Sequence, residues 1–311
     1  MRPRLAGSCL ALLLVGAPAP SLWAQAVPTF SSGSELVVLS ATAVDGKGRP
    51  VTNLKRQELR VLEEGRPQAI VHFAEGSDVP ARVLLLVDVS GSMNGELKTT
   101  SARMAAKQVL AALSPEDQVA LAGFDSEYWG IVAWTTDKRK VESGFDQLKP
   151  FGSTALHDAL DHAARDLASH GEGRRAIVVI TDGVDTASKE TPEAVIARSR
   201  ALDVPIYTVT VVSAIDDPRS EVFVGKDREN AAAAGSALLA RYASMSGGAA
   251  FVVSDFAALQ KAAGLIALEL KHQYRLGYDP PEGPRRFRRV EVRTTRKGIL
   301  VRTRSGYFPP S

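Results

Sequence analysis

The chain has 311 residues, 45% of them hydrophobic and 23% charged, a composition that permits one globular domain of moderate size and a smaller module. The formal net charge is +3, so charge alone gives no argument for a nucleic-acid partner. Cys9 is the only cysteine, and it lies in a segment that we expect to be removed. This excludes disulfides and thiolate metal sites from the mature protein.

Residues 1–26 have the features of a secretory signal peptide. Arg2 and Arg4 precede the apolar stretch Cys9 to Val15, and the small-residue sequence Ala24-Gln25-Ala26 follows. The apolar stretch is shorter than the roughly 20 residues that a membrane-spanning helix needs, and no later stretch can replace it. We therefore expect an exported protein without a transmembrane segment, either periplasmic or secreted.

Residues 27–79 have the pattern of a small all-β module. Apolar and polar residues alternate in Glu35 to Val44, in Glu58 to Leu62 and in Gln68 to Phe73, and turn-forming Gly, Asp and Pro residues separate these runs. A few short strands of this kind are only marginally stable alone. The module therefore needs a partner elsewhere in the chain.

Residues 80–270 change to alternating strands and helices, a pattern typical of a doubly wound, mainly parallel sheet with helices on both faces. The predicted strands are 83–87, 118–124, 131–134, 176–180, 206–212 and 250–253. The predicted helices are 96–113, 155–168, 191–201, 231–244 and 256–270. The stretch Ser213 to Asn230 has no clear period and predicts a surface loop.

Residues 271–311 return to β character, with predicted strands at 274–278, 288–293 and 298–303. The economical arrangement pairs them with the N-terminal strands in one β-sandwich-like module, with the α/β domain inserted between its halves. Separate caps on the two ends of the α/β domain are the alternative. Between Lys271 and Arg304 there are eleven Lys or Arg against three acids. We interpret these as the solvent-facing side of a ribbon, with an anionic partner as the alternative.

Hard oxygen donors follow the first strand of the predicted α/β domain. The apolar run Leu84 to Val87 leads into Asp88-Val89-Ser90-Gly91-Ser92, where Gly91 allows a tight turn. Such a turn lets both hydroxyls face the side of the carboxylate. Carboxylate and hydroxyl oxygens suit magnesium, manganese or calcium rather than zinc.

Two further segments predict oxygen donors at the same place. Phe151-Gly152-Ser153-Thr154 contributes a threonine hydroxyl at the start of a helix, and the strand Ala176 to Ile180 is followed by Thr181-Asp182-Gly183. Ligands of open α/β sheets bind outside the carboxyl ends of the strands. Adjacent parallel strands would therefore bring Asp88 and Asp182 to one edge of the sheet, with Thr154 beside them.

Together, these segments resemble the metal-ion-dependent adhesion site (MIDAS) of von Willebrand factor type A domains. All five positions of that site match, in Asp88-x-Ser90-x-Ser92, Thr154 and Asp182-Gly183. The resemblance covers about residues 80–270 and implies the Rossmann-like α/β fold of that family. The flanking segments are similar to those of exported bacterial proteins that carry such a domain.

The resemblance also implies a role for each matching residue. Ser90 and Ser92 would bind a divalent cation directly, Thr154 directly or through water, and Asp88 and Asp182 mostly through water. Magnesium is the expected cation, with manganese or calcium as alternatives. Because neutral hydroxyls leave the cation much of its charge, an open position would attract an Asp or Glu carboxylate of a protein partner.

These observations favour an exported, non-enzymatic adhesion or protein-binding module. Helix capping is the alternative role for four of the site residues, each taken alone, namely Asp88, Ser90, Ser92 and Asp182. A metal-assisted hydrolase is a second functional class, but the sequence has no Gly-x-Ser-x-Gly turn and no phosphate loop ending in Lys-Ser or Lys-Thr. A structural or assembly subunit with a vestigial metal site is the third. The sequence indicates neither the partner nor the oligomeric state.

Other acids and histidines give weaker signals. His157, Asp158, Asp161 and His162 could pair as metal ligands at helical spacing, but they lie opposite the apolar stripe of their own helix. We therefore expect them on a solvated face. Asp125 and Asp185 follow strands, and we interpret both as turn residues, with a ligand role as the alternative for Asp125 and tuning of the charge of the site as the alternative for Asp185.

Overall fold

The structure is a computed structural model, and it describes residues 36–76, 80–93, 96–149, 151–170, 173–211 and 226–309. The predicted signal peptide lies outside these residues, as does most of the predicted loop at 213–230. The boundaries predicted for the flanking modules and the α/β domain remain predictions.

The described residues form fourteen strands and six α-helices. The strands are β1 (Val37–Asp45), β2 (Leu59–Glu63), β3 (Arg66–Gln68), β4 (Ile70–Glu75), β5 (Ala81–Asp88), β6 (Gln118–Phe124), β7 (Tyr128–Thr135), β8 (Arg174–Thr181), β9 (Ile206–Val211), β10 (Ala250–Val253), β11 (Tyr274–Tyr278), β12 (Arg288–Thr294), β13 (Ile299–Thr303) and β14 (Gly306–Tyr307). The helices are α1 (Glu96–Ala112), α2 (Lys138–Gly144), α3 (Leu156–Ser169), α4 (Pro192–Ala201), α5 (Lys226–Ser246) and α6 (Phe256–Lys271).

The central sheet has the strand order β10-β9-β8-β5-β6-β7 among the described residues. All neighbouring pairs are parallel except β6 and β7. From β5, the chain continues to β6 on one side and later to β8 on the other, so the strand order reverses between β5 and β8. The crevice at such a reversal is where open α/β sheets bind their ligands. We call the side where β5 and β8 end the carboxyl edge.

Strand β5 is apolar because both of its faces are covered. Val83, Leu85 and Val87 belong to the core on the side of α1 and α6, whereas Leu84 and Leu86 belong to the core on the side of α3, α4 and α5. All five side chains are at most 1% exposed. This arrangement confirms the predicted doubly wound sheet, and it fixes where Asp88 leaves the strand.

The flanking segments form two four-stranded antiparallel sheets within the described residues, in the orders β13-β1-β11-β4 and β14-β12-β2-β3. Strand β1 pairs with β11 and β13, and β2 pairs with β12, so each sheet combines N-terminal and C-terminal strands. Leu39, Val61, Leu276 and Val292 are buried in their shared core. The predicted sandwich-like module from the two flanks is thereby confirmed.

Several arginines of the basic C-terminal segment point inward, contrary to the prediction of a solvent-facing ribbon. Arg288, Arg302 and Arg304 contact Glu63, Glu269 and Asp203, respectively. Glu63 and Glu269 are at most 3% exposed. The expectation is wrong for these arginines because each neutralises a buried or largely buried acid.

Other differences from the predicted elements are local. Helix α2 was not predicted, and α5 already begins at Lys226, so residues 226–230 are helical rather than part of a loop. Thr191 caps the N-terminus of α4, since its side chain accepts a hydrogen bond from the Ala194 amide. No helix in the described residues is long and apolar enough to cross a membrane.

Candidate metal centre

Asp88 lies at the end of β5 and is only 2% exposed. Its Oδ1 accepts a hydrogen bond of 2.9 Å from the Ser90 amide, and its Oδ2 accepts one of 2.5 Å from the Thr181 hydroxyl. The Ser90 side chain also hydrogen-bonds to this carboxylate. Neutral donors therefore hold the carboxylate of Asp88 in a fixed orientation.

The electrostatic environment of Asp88 favours a cation. Burial and the nearby negative charge of Asp182 raise the pKa of Asp88 to about 6. In the part of the chain that the structure describes, Asp88 makes no ion pair with Lys, Arg or His. A divalent cation beside the two carboxylates would supply the missing positive charge.

Ser90 is completely buried and precedes a short 3-10 turn, Gly91–Met93. The Gly91 amide donates a hydrogen bond of 2.8 Å to the Gly152 carbonyl. A Cβ atom at residue 91 would lie only 3.1 Å from that oxygen, which explains glycine at this close approach. The side chain of Ser92 is outside the described part of the structure, so its role remains a prediction.

Thr154 precedes α3 and is 2% exposed. Its amide donates to the Thr186 hydroxyl at 2.9 Å, and its carbonyl accepts from the amides of Thr186 and Ala187 at 2.8 and 2.9 Å. By contrast, no hydrogen bond within the described residues involves the Thr154 hydroxyl. The backbone is thus fixed while the side-chain oxygen keeps its capacity to bind an ion.

Asp182 follows β8 and is partly exposed, and the tight turn behind it depends on glycine. Gly183 has φ +86°, and a Cβ atom there would lie 2.8 Å from Leu239 and 3.0 Å from the Gly235 backbone. The Gly183 amide donates to the Thr181 hydroxyl at 2.9 Å. Helix α5 therefore packs directly against the turn that positions Asp182.

The structure brings several of the predicted residues together at the carboxyl edge. Ser90 hydrogen-bonds to Asp88, and Asp182 lies near enough for its charge to raise the pKa of Asp88. The Thr154 loop is attached to this group by two backbone hydrogen bonds, Gly91 to Gly152 and Phe151 to Val89. The described residues include no cluster of three or more His, Cys, Asp or Glu side chains suited to a metal. A cation here would rely on hydroxyls together with two carboxylates, a set of hard donors that fits magnesium, manganese or calcium.

Sequence reasoning assigned no role to two threonines that organise the site. Thr181 bridges the Asp88 carboxylate and the Gly183 amide, and Thr186 binds the backbone of Thr154. The only sequence signal for Thr181 was a hydroxyl residue directly before Asp182 at the end of a strand. Thr186 has no comparable signal, because its contact depends on how the loop after β8 folds back.

The expectation of a solvated face on α3 is wrong for His157 and Asp161, which are 7% and 4% exposed. The Nδ1 atom of His157 lies 3.0 Å from the Tyr242 hydroxyl, and Asp161 bonds to Arg165 and Arg198. Helices α4 and α5 cover this face, which the periodicity of α3 alone could not show.

Asp125 and Asp185 both bond to backbone amides. The Asp125 carboxylate accepts a hydrogen bond from the Glu127 amide, as expected for a turn residue. Asp185 instead accepts from the Leu156 amide at 2.8 Å, so it satisfies the first turn of α3 from a distant loop. Neither observation points to a metal ligand.

The comparisons with known proteins agree with this architecture. Residues 83–184 match the von Willebrand factor type A domain family. The solved structure of a von Willebrand factor type A protein from Catenulispora acidiphila is similar with a TM-score of 0.51 and 13% identity, covering 90% of this chain and 75% of that chain. Residues 83–184 are therefore similar to a von Willebrand factor type A domain, and the fold of the described residues agrees with that similarity.

Two further solved structures are similar at lower TM-scores. The conserved hypothetical protein BatB from Bacteroides thetaiotaomicron has a TM-score of 0.48 and 18% identity, covering 61% of this chain and 98% of that chain. Proximal thread matrix protein 1 from the mussel byssus, solved with a zinc-occupied MIDAS motif, has a TM-score of 0.48 and 15% identity, covering 68% of this chain and 50% of that chain. No curated protein matches the sequence.

Proposed function

We propose that this protein is an exported, non-enzymatic binding protein that holds a divalent cation at the carboxyl edge and uses it to bind an acidic residue of a protein partner. One observation carries the proposal: the buried carboxylate of Asp88 lies beside that of Asp182 and has hydroxyl and amide donors, but no basic partner, within the described residues. Export rests on the signal-peptide features of residues 1–26.

The proposed ligands are Asp88, Ser90, Ser92, Thr154 and Asp182. The hydroxyls of Ser90 and Ser92 would bind the cation directly without neutralising it, that of Thr154 would bind directly or through water, and the two carboxylates would act mainly through water. The cation would then supply a Lewis-acidic position for one more oxygen ligand. A partner's Asp or Glu carboxylate is the ligand that best matches this position, with magnesium as the first candidate cation and manganese or calcium as alternatives.

A binding role fits the described side chains better than catalysis does. The Asp88 carboxylate is already held by Ser90 and Thr181, and it is too buried to abstract a proton from a bound substrate. His157 bonds to Tyr242 and faces Asp185, and burial lowers its pKa. Neither group is placed as a general base for a water molecule. A panel of phosphatase and esterase substrates, with and without magnesium, tests this part of the proposal.

Calorimetric titration with magnesium and manganese tests the cation site directly. We expect the wild-type protein to bind one cation and Asp88→Ala to bind none, with a native circular dichroism spectrum. Asp146→Ala is the matched control, because Asp146 is an exposed acid in the short turn after α2. Equal cation binding by wild type and Asp88→Ala would contradict the proposed site.

A pull-down tests the binding role. Immobilised wild type, Asp88→Ala and Asp146→Ala are exposed to envelope and secreted proteins, first in magnesium and then in chelator. We expect partners that wild type and Asp146→Ala retain in magnesium, that chelator releases and that Asp88→Ala does not retain. Partners that stay bound to Asp88→Ala, or that stay bound in chelator, would contradict cation-mediated recognition.

A further inference from the structure

The edge of the central sheet at β10 has unpaired backbone groups. β10 is the last strand on its side of the sheet and pairs only with β9 among the described strands. The Thr208 amide donates to the Ala249 carbonyl, so residues 249, 251 and 253 direct their backbone groups toward β9. Ala250 and Val252 therefore direct their N–H and C=O groups away from the sheet. No hydrogen bond to these outward groups occurs within the described residues.

A groove of about 490 Å³ runs along this edge. Its lining includes the strand itself, small or apolar residues of α6, namely Ala258, Ala262 and Leu265, and Val44 and Gly48 from the flanking module. We call this the β10 groove. Its volume lies within the range of roughly 300 to 1,000 Å³ that is usual for ligand sites.

Apolar side chains are exposed at the β10 groove. Ala250 and Val252, which both line the groove, are exposed, and Val252 is 59% exposed. Proteins usually protect an edge strand with a charged residue, a proline or a bulge. The strand Ala250-Phe251-Val252-Val253 contains no charged residue and no proline, so its own sequence does not prevent pairing.

The charges that line the β10 groove indicate which kind of polypeptide segment would bind there. Lys47 and Lys261 line the groove, and neither makes an ion pair within the described residues. Glu269, the acid among the described lining residues, is 2% exposed and contacts Arg302 at 2.5 Å, so it does not neutralise the two lysines. An occupant with a carboxylate would be attracted to this groove.

We propose that the β10 groove binds an extended, acidic segment of a partner protein, which adds as a strand to β10. The outward groups of Ala250 and Val252 supply backbone hydrogen bonds, the exposed apolar residues pack against alternate side chains of the segment, and Lys47 and Lys261 bind its acidic side chains. This site is separate from the carboxyl edge, and it requires no cation.

Proline at residue 252 gives a selective test. Because the Val252 amide points away from β9, Val252→Pro removes a donor needed by an added strand without removing a hydrogen bond of the existing sheet. Val252→Thr is the matched control, since it keeps the amide and the β-branched shape. Lys261→Glu is a second variant, which reverses an exposed charge, and Lys261→Arg is its conservative control.

The probe is a phage library of random dodecapeptides selected on the full protein in chelator, followed by fluorescence anisotropy with the selected peptides. We expect acidic sequences rich in β-branched residues, with binding weakened about tenfold or more by Val252→Pro and by Lys261→Glu. The Thr and Arg controls should bind like wild type. Thermal unfolding of each variant checks the fold.

Three outcomes would overturn the proposal. They are the absence of selected peptides, peptides whose affinity is unchanged in both Val252→Pro and Lys261→Glu, and a concentration-dependent dimer of the wild type that Val252→Pro dissociates. The last outcome would identify a second copy of this chain as the occupant. If Val252→Pro proves unstable, Lys261→Glu against Lys261→Arg decides alone.

Discussion

Two regions of the molecule bury a carboxylate in different ways. In the sandwich, Glu63 is 3% exposed and accepts hydrogen bonds from Arg288 at 2.9 Å, from Tyr278 at 2.6 Å and from Tyr307 at 2.9 Å. At the carboxyl edge, Asp88 is 2% exposed but lies beside a second acid, and its donors are neutral. The two acids are equally buried and differ in whether the described part of the chain supplies a positive charge beside them.

The difference separates structural acids from candidate binding acids. Glu269 and Asp203 resemble Glu63, because Arg302 and Arg304 lie against them where the sandwich meets the α/β domain. Burying an unpaired charge is costly, so a buried carboxylate such as Asp88, which has no basic partner within the described residues, persists when another role requires it. A divalent cation from solution would complete the carboxyl edge in the way that arginines complete the sandwich.

The largest expected effect on stability comes from removing Arg288, the arginine that contacts Glu63 in the sandwich. Arg288→Ala would leave Glu63 buried without its cation, and we expect the free energy of unfolding to fall by about 3–5 kcal/mol. Arg293→Ala is the control on the same strand, where Arg293 pairs with Glu291 at the surface and should contribute less than about 1 kcal/mol. Urea unfolding at neutral pH measures both. Similar losses in the free energy of unfolding for Arg288→Ala and Arg293→Ala would contradict the special role of the buried ion pair.

Asp88→Asn should have the opposite effect and raise the free energy of unfolding in the absence of a cation. The charged form of Asp88 is disfavoured in the folded state, since its pKa rises from 3.8 to about 6. In chelator, the wild type therefore loses stability as the pH rises from about 4 to about 6, by up to about 3 kcal/mol. Asp88→Asn lacks this loss, so above about pH 6 it should be more stable than the cation-free wild type.

Bound cation should reverse the order of stability of the wild type and Asp88→Asn. Saturating magnesium should stabilise the wild type, by about 2.7 kcal/mol at a hundredfold excess over the dissociation constant, and should leave Asp88→Asn unchanged. Thermal unfolding in chelator and in magnesium measures the difference. If Asp88→Asn is less stable than the wild type in chelator, Asp88 is a structural acid of the same kind as Glu63.

The close contact between Gly235 and Gly183 allows a test with a smaller expected effect on stability at the carboxyl edge. A Cβ atom at Gly235 of α5 would lie 2.6 Å from the Gly183 carbonyl oxygen, so Gly235→Ala should push the helix from the turn after Asp182. We expect a loss of about 1–3 kcal/mol and weaker cation binding. Gly264→Ala in α6 is the control: nothing lies within 4 Å of its Cβ position, and alanine there should stabilise by up to about 1 kcal/mol. Equal effects would exclude this contact as the cause.

The parts of the fold that could be predicted from sequence are those with a strong apolar pattern. Strands β6 and β10 have the predicted bounds, because runs of apolar residues between polar turns define them. Helix α2 could not be predicted in the same way. This helix has only seven residues, and only two of them, Val141 and Gly144, are buried. Its sequence therefore has no apolar stripe from which a helix could be predicted.

The candidate site was predictable to the extent that chain order determines it. Asp88 ends β5 and Asp182 directly follows the neighbouring β8, and a parallel sheet places such ends at one edge. The sequence could not show which acids are neutralised. Neither the pairing of Arg288 with Glu63 nor the burial of His157 follows from local periodicity, because each depends on residues far apart in the chain.

The smallest predicted change concerns a single hydroxyl. The backbone of Thr154 is held by Thr186 and Ala187, so Thr154→Ala should leave the free energy of unfolding in chelator nearly unchanged. If the free hydroxyl is a cation ligand, its loss should weaken magnesium binding by about tenfold, or about 1.4 kcal/mol. Ser153→Ala is the matched control, because it removes an exposed hydroxyl from the preceding residue. Calorimetric titration of both variants distinguishes a cation ligand from a loop residue, and equal affinity in the two would limit the site to the residues around Asp88 and Asp182.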